Sequence, residues 1–171
     1  MEKKTIDWGE ETERRVKTGV ARFMEGYNCS QSVALAFADW YDVPAGLMAR
    51  MSASFGGGIG RMRETCGSAL GMFLLAGLET ASEHADQVIK AQNYAAVQQL
   101  AADFKAQTGS IVCRELLGLN KRRADGTMPE VAIVATPEPR TAEYYRKRPC
   151  VRMVETAIRT YMAWLAGRSN D

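Results

Sequence analysis

Within a charged stretch, apolar residues recur at helical spacing at Val16, Val20, Phe23, Met24 and Tyr27, which predicts an amphipathic helix from Glu10 to Tyr27. Gly26 is placed to stop it. Asn28, with Gln31 three residues on, has the form of a capping box and opens a mostly apolar helix through Trp40. Pro44 suits the first turn of a third helix carrying Leu47, Met48 and Met51. The stretch Phe55-Gly56-Gly57-Gly58-Ile59-Gly60 is too rich in glycine to hold a helix and reads as a loop. Beyond it, Thr65 is set to cap a helix from Cys66 to about Leu78. That helix is apolar nearly all round and is the expected central one. On it Gly67 and Gly71, four residues apart, would let a neighbouring backbone approach closely.

A long helix is expected from about Glu83 to Gln107, with Val97, Leu100, Ala101 and Phe104 facing inward. Thr108-Gly109-Ser110 breaks it, and Ser110 is a fair cap for a short helix through Leu117. Lys121 to Arg140 is the least regular stretch, with three of the five prolines and an Asp125-Gly126 turn. Only Val131-Ala132-Ile133-Val134 could form a short strand there. The last helix is expected from near Pro149 to about Ala166, burying Val151, Val154, Ile158, Tyr161 and Leu165. The expected fold is therefore all-α: one helical bundle of about six helices over residues 1–171, with 121–140 as an irregular excursion.

Composition adds exclusions. The 171 residues suit a single domain with a real core, and 22 Lys+Arg against 20 Asp+Glu leave a net charge of +2. That balance gives no reason to expect nucleic acid or an anionic membrane as partner. The longest apolar run, Cys66 to Leu78, is too short for the ~20 residues of a bilayer crossing, so no membrane insertion is expected. The polar start Met1-Glu2-Lys3-Lys4-Thr5 does not read as a signal peptide, which makes the cytoplasm the expected compartment. There, four cysteines are expected as free, catalytic or metal-bound thiols rather than as structural disulfides. Trp8, Tyr144, Tyr145 and Trp164 look exposed and are compatible with a homodimer.

The cysteines carry the chemistry. Cys29 follows the cap Asn28, Cys66 follows Thr65, Cys113 lies three residues past Ser110, and Cys150 follows Pro149. Each is thus expected in the first turn of a different helix, where unpaired N–H groups and the helix dipole favour a thiolate. Around Cys150, Arg140, Arg146, Lys147, Arg148 and Arg152 face a single acid, Glu143, which makes Cys150 the expected most reactive thiol. Cys66, opening the most apolar helix, should be less exposed than Arg61 and Arg63. Spacings of 37, 47 and 37 residues between successive cysteines exclude a zinc ribbon, a ferredoxin run or a thioredoxin motif. A site shared by all four has to be assembled by the tertiary fold, which helical bundles do readily.

The order Cys29, Gly56-Gly57-Gly58-Ile59-Gly60, Cys66-Gly67-Ser68-Ala69-Leu70-Gly71, Cys113, Cys150 resembles the C_GCAxxG_C_C family from about Tyr27 to Arg159. These are small bacterial and archaeal proteins described as redox-active. Ser68 stands where the family pattern has a small residue, usually Ala. The resemblance implies a helical fold and a thiol or metal redox role for Cys29, Cys66, Cys113 and Cys150. They would act as disulfide-forming pairs or as ligands of an iron–sulfur cluster or other thiophilic metal. Gly57, Gly58, Gly67 and Gly71 are then the candidate backbone positions beside a cofactor, and an electron-transfer partner is implied.

Two other classes stand beside this reading. One is a helical binding or assembly module with incidental cysteines. The other is an enzyme with one activated cysteine, for which Glu64 is the only nearby candidate base. The glycine loop does not fit a nucleotide-binding motif, since it follows a helix and has neither the G-x-G-x-x-G nor the Walker pattern. His84 reads as an exposed residue near a helix start, the nine methionines as core filling, and Lys121-Arg122-Arg123 as a solvated patch.

Overall fold

A computed structural model describes residues 6–169. The elements are α1 (Trp8–Met24), α2 (Cys29–Leu35), α3 (Ala45–Ser52) with a 3-10 turn at Ala53–Phe55, α4 (Gly67–Thr80), α5 (Gln87–Thr108), α6 (Cys113–Leu116), α7 (Ala142–Lys147) and α8 (Cys150–Arg168). The fold is all-α, a helical bundle. No helix among the described residues is long and apolar enough to cross a membrane.

The most enclosed helix is the short α2 rather than α4. Six of its seven residues are buried, and α1, α3, α4 and α8 all pack on it. Small side chains explain this placement. A Cβ on Gly19 of α1 would stand 2.3 Å from Ile158 Cδ1 and 3.2 Å from the Ser32 carbonyl oxygen. One on Gly71 of α4 would stand 2.8 Å from the Ser30 carbonyl oxygen and 3.0 Å from Val33 Cβ. Backbones therefore meet on both sides of α2, as the Gly67/Gly71 spacing predicts for α4. Val33, Phe37, Met72, Leu75, Leu100, Phe104, Val154, Ile158 and Tyr161 fill the space around these contacts.

Helix α2 ends at Leu35, five residues short of the Trp40 expected from apolar content. The chain then runs in turns through Asp42, whose φ is +52°. Arg15 makes this ending stable. It is 2% exposed, donates to the Ala36 carbonyl oxygen at 2.5 Å, and pairs with Glu11 at 2.7 Å and Asp39 at 2.5 Å. Its guanidinium also lies 5.1 Å from the centres of the Phe37 and Trp40 rings. Arg15→Ala should cost about 2–4 kcal/mol in urea unfolding, because it opens a cavity and orphans a buried carbonyl. Glu11 and Asp39 are more exposed and find water instead. A loss below about 1 kcal/mol would rule out this role for Arg15.

Several expectations need correction. Val131–Val134 forms no strand: Ile133 and Val134 are exposed and no second strand is present among the described residues to pair with them. Helix α5 begins at Gln87, where the Asp86 side chain accepts from the N–H groups of Val88 and Ile89. Helix α7, capped by Thr141, is an element the apolar periodicity does not predict. Trp8, Tyr144, Tyr145 and Trp164, expected to be exposed, are part-buried. Trp8 packs on Trp40, Tyr145 on Phe23, Tyr144 on Tyr145 and Trp164 on Tyr161.

Candidate functional site: four cysteines around one cavity

Each cysteine stands at the start of a helix. At α2, Asn28 Oδ1 accepts from the Gln31 N–H at 3.0 Å and Gln31 Oε1 accepts from the Asn28 N–H at 3.1 Å. This is the capping box the sequence predicts, and it fixes Cys29 as the first residue of α2. Asn28 Nδ2 also donates to the Ala53 carbonyl oxygen at 2.8 Å, which ties the start of α2 to the 3-10 turn that leads into the glycine loop. Cys113 and Cys150 are likewise the first residues of α6 and α8. Cys66 is the cap residue of α4, one position earlier than expected, because Thr65 is drawn into an antiparallel bridge with Val112.

That bridge brings together residues 47 apart in sequence. The Cys66 N–H donates to the Ile111 carbonyl oxygen at 2.7 Å, and the Cys113 N–H donates to the Glu64 carbonyl oxygen at 2.6 Å. The glycine loop coils beneath it in left-handed conformation, with positive φ at Gly57, Gly58, Ile59, Gly60, Arg61 and Arg63. For a β-branched residue such as Ile59 this backbone is strained, and strain of this kind clusters at functional sites. Gly58 is needed twice over: its φ is +73°, and a Cβ there would lie 2.6 Å from Cys113 Cβ. A Cβ on Gly67 would lie 2.4 Å from Cys29 Sγ, so the Cys29 sulfur rests on the backbone next to Cys66.

The outcome is convergence. Cys29, Cys66, Cys113 and Cys150 all line one cavity of about 300 Å³. Gly57 and Gly67 line it as well, whereas Gly58 and Gly71 are packing positions outside its wall. All four cysteines are free thiols; Cys29, Cys66 and Cys113 are buried and Cys150 is partly so. The expected shared metal centre on Cys29, Cys66, Cys113 and Cys150 is not supported. Among the described residues no three Cys, His, Asp or Glu side chains lie close enough to hold one ion.

A family model described as "Putative redox-active protein (C_GCAxxG_C_C)" matches residues 27–164. The chain belongs to this family. No curated protein and no solved structure matches it. In this C_GCAxxG_C_C protein the matched region holds all four cysteines, the glycine loop and every residue of the cavity wall except Phe23.

Burial governs the thiols. It pushes the Cys150 thiol up to about 12, with Cys29 and Cys113 adding to the effect and Arg148 and Arg140 opposing it more weakly. The expectation that the nearby cations lower the Cys150 thiol is not met, because burial outweighs them. Its cations are engaged elsewhere: Arg148 pairs with Glu138, and Arg140 stacks over the Phe23 and Tyr144 rings at 4.3 and 4.8 Å. Burial also raises Cys66, followed by Cys29, against the backbone N–H groups of Ala69 and Ser68 at the start of α4. Cys113 is raised by burial and held back chiefly by the Arg63 guanidinium beside it.

Arg63 is the cavity residue the sequence does not reveal. It is 7% exposed and barely above Cys66 at 5%, although it sits in a glycine-rich loop where a basic residue normally reads as solvated. Glu64, the candidate base, is not placed to act on the cysteines. Its carboxylate is half-exposed, pairs with Arg114 at 2.7 Å, and lies outside the cavity wall. His84 is exposed and lies outside the cavity wall too, as expected. The 121–140 excursion contributes a cover. Arg61 Nε donates to the Val134 carbonyl oxygen at 2.7 Å, and Ala135, Pro137, Glu138 and Arg140 line the cavity.

Proposed function

We propose that this protein is a thiol redox carrier whose four cysteines cycle between thiols and intramolecular disulfides inside the cavity. One observation carries the reading: cysteines from four separate helix starts, 37, 47 and 37 residues apart, line a single cavity. Incidental cysteines have no reason to meet in this way, and membership of a family described as redox-active points the same way. Oxidation joins two thiols as a disulfide and releases two electrons and two protons to an acceptor. Arg63 beside Cys113 favours the thiolate needed for exchange.

Anaerobically reduced protein, treated with diamide and then denatured, should lose two or four of its four free thiols. Peptide mapping should place each disulfide within one chain. Four thiols surviving diamide, or bridges only between chains, would overturn the reading.

A further inference from the structure

The cavity wall carries four guanidinium groups, Arg61, Arg63, Arg140 and Arg148, and one carboxylate, Glu138. Glu138 pairs with Arg148 and sits 3.9 Å from Arg61, which leaves Arg63 and Arg140 without a carboxylate partner among the described residues. Arg140 donates through Nη2 to the Tyr27 carbonyl oxygen at 3.2 Å, while its Nη1 is buried with no partner. Ser68 Oγ, also in the wall, is buried and unpartnered. Buried cations and hydroxyls without partners are costly, and an anion beside them relieves the cost. The crowding is felt within the cluster, since burial and then Arg63 push the Arg61 guanidinium below its ordinary range. A cavity of about 300 Å³ is at the small end of ligand sites. Three of its four cysteines are buried, which favours a small disulfide over one carried on a folded partner.

We propose that the cavity binds a small disulfide carrying carboxylate groups, anchored by Arg63 and Arg140, and that the cysteines reduce it. This rests on the thiol-redox reading above and names its substrate class. One cysteine thiolate attacks a substrate sulfur, so the substrate S–S bond breaks and a mixed disulfide forms. The first substrate half leaves as a thiolate and takes a proton. A second cysteine attacks the protein-side sulfur of the mixed disulfide, which forms the protein disulfide and releases the second half. Two electrons pass from two protein thiols to the substrate, and their two protons end on the two released thiols.

Three disulfides of similar size test this: dithiodiglycolate, a dianion; bis(2-hydroxyethyl) disulfide, neutral; and cystamine, a dication. Loss of protein thiols is followed anaerobically at low salt, each rate being divided by that of 2-mercaptoethanol with the same disulfide. The dianion should lead the dication by about tenfold or more, and added salt should narrow the gap. Arg63→Gln and Arg140→Gln should each shrink the ratio, and Arg63→Lys should restore most of it. Should the glutamine variants not fold, the wild-type ratio at low and high salt decides the matter alone.

A ratio at or below one overturns the anionic substrate while leaving the redox reading intact, because the thiols still oxidise. If none of the three disulfides oxidises the protein but diamide does, the proposal falls and the thiol-redox reading stands. If diamide fails as well, both fall.

Discussion

Replacing Gly67 by valine should destabilise the protein by about 3 kcal/mol and disturb Cys29 directly. The cause is space, since Gly67 lies in α4 with no positive φ. Even the first added carbon would stand 2.4 Å from Cys29 Sγ, 2.8 Å from the Phe55 carbonyl oxygen and 3.3 Å from Gly56 Cα. Two of these neighbours are backbone of the strained loop and cannot swing aside as a side-chain tip could. The valine methyls make the overlap worse, so the glycine loop and α4 must separate and the cavity between them must change shape. Gly77, in the same helix, has nothing within 4 Å of its would-be Cβ, so Gly77→Ala should be neutral or stabilise by up to about 1 kcal/mol. Thermal melting of both variants, with the alkylation rate of Cys29 in the first, separates the two cases. Unchanged melting for the valine variant would show that α4 and the loop are not in the close contact described.

What could be read in the sequence was local. The Asn28/Gln31 capping box, the break at Gly109 and the start of α8 after Pro149 all act through neighbouring backbone groups, and each lies where pattern placed it. The close approach at Gly67 and Gly71 was also legible, because two glycines one turn apart on an apolar helix have few other uses. What failed depends on partners distant in sequence. Helix α2 stops at Leu35 because Arg15, 21 residues before Ala36, reaches that carbonyl. Cys66 moves to the cap position because Thr65 pairs with Val112.

The cavity charge was misread for the same reason. Arg140 and Arg148 do lie near Cys150, but Arg148 is paired with Glu138, and burial outweighs what the two cations supply. Arg63 gave no signal at all, since nothing local distinguishes a buried guanidinium from a solvated one. Its left-handed backbone and its place beside Cys113 exist only once the loop has coiled under the bridge. The cover formed by 135–140 likewise has no periodicity to announce it, because it is held by Arg61 and Arg148 and not by a packed face of its own.

The reduced protein should lose stability steeply as pH rises from about 9 toward 12. Cys150 is held at about 12 in the fold, and burial raises Cys66 and Cys113 above the ordinary value of 9.0 as well. The sign follows from proton counts. Below pH 9 both folded and unfolded chains carry protonated thiols, and stability is independent of these groups. Above it the unfolded chain releases protons that the folded chain still holds, so each further unit of pH favours unfolding by about 1.4 kcal/mol per group. The loss is complete only when the folded thiols ionise in turn. Since Cys150 is only partly buried, its share is of the order of 2 kcal/mol, with Cys66 and Cys113 adding to it.

Tyr41 and Tyr161, raised by burial and joined to each other, contribute in the same direction, but only above pH 10. Urea unfolding of reduced wild type at intervals from pH 7 to 11 measures the slope, and Cys150→Ser should flatten it between 9 and 10, where the tyrosines are silent. Oxidation supplies the sharper control, because a cysteine in a disulfide has no proton to lose. Diamide-treated protein should therefore keep its stability through pH 10 where the reduced protein declines. A reduced protein with a flat profile from pH 9 to 11 would mean that water reaches these thiols and that they are not buried as described. Equal slopes for the reduced and oxidised forms would mean that the titrating groups lie outside the four cysteines.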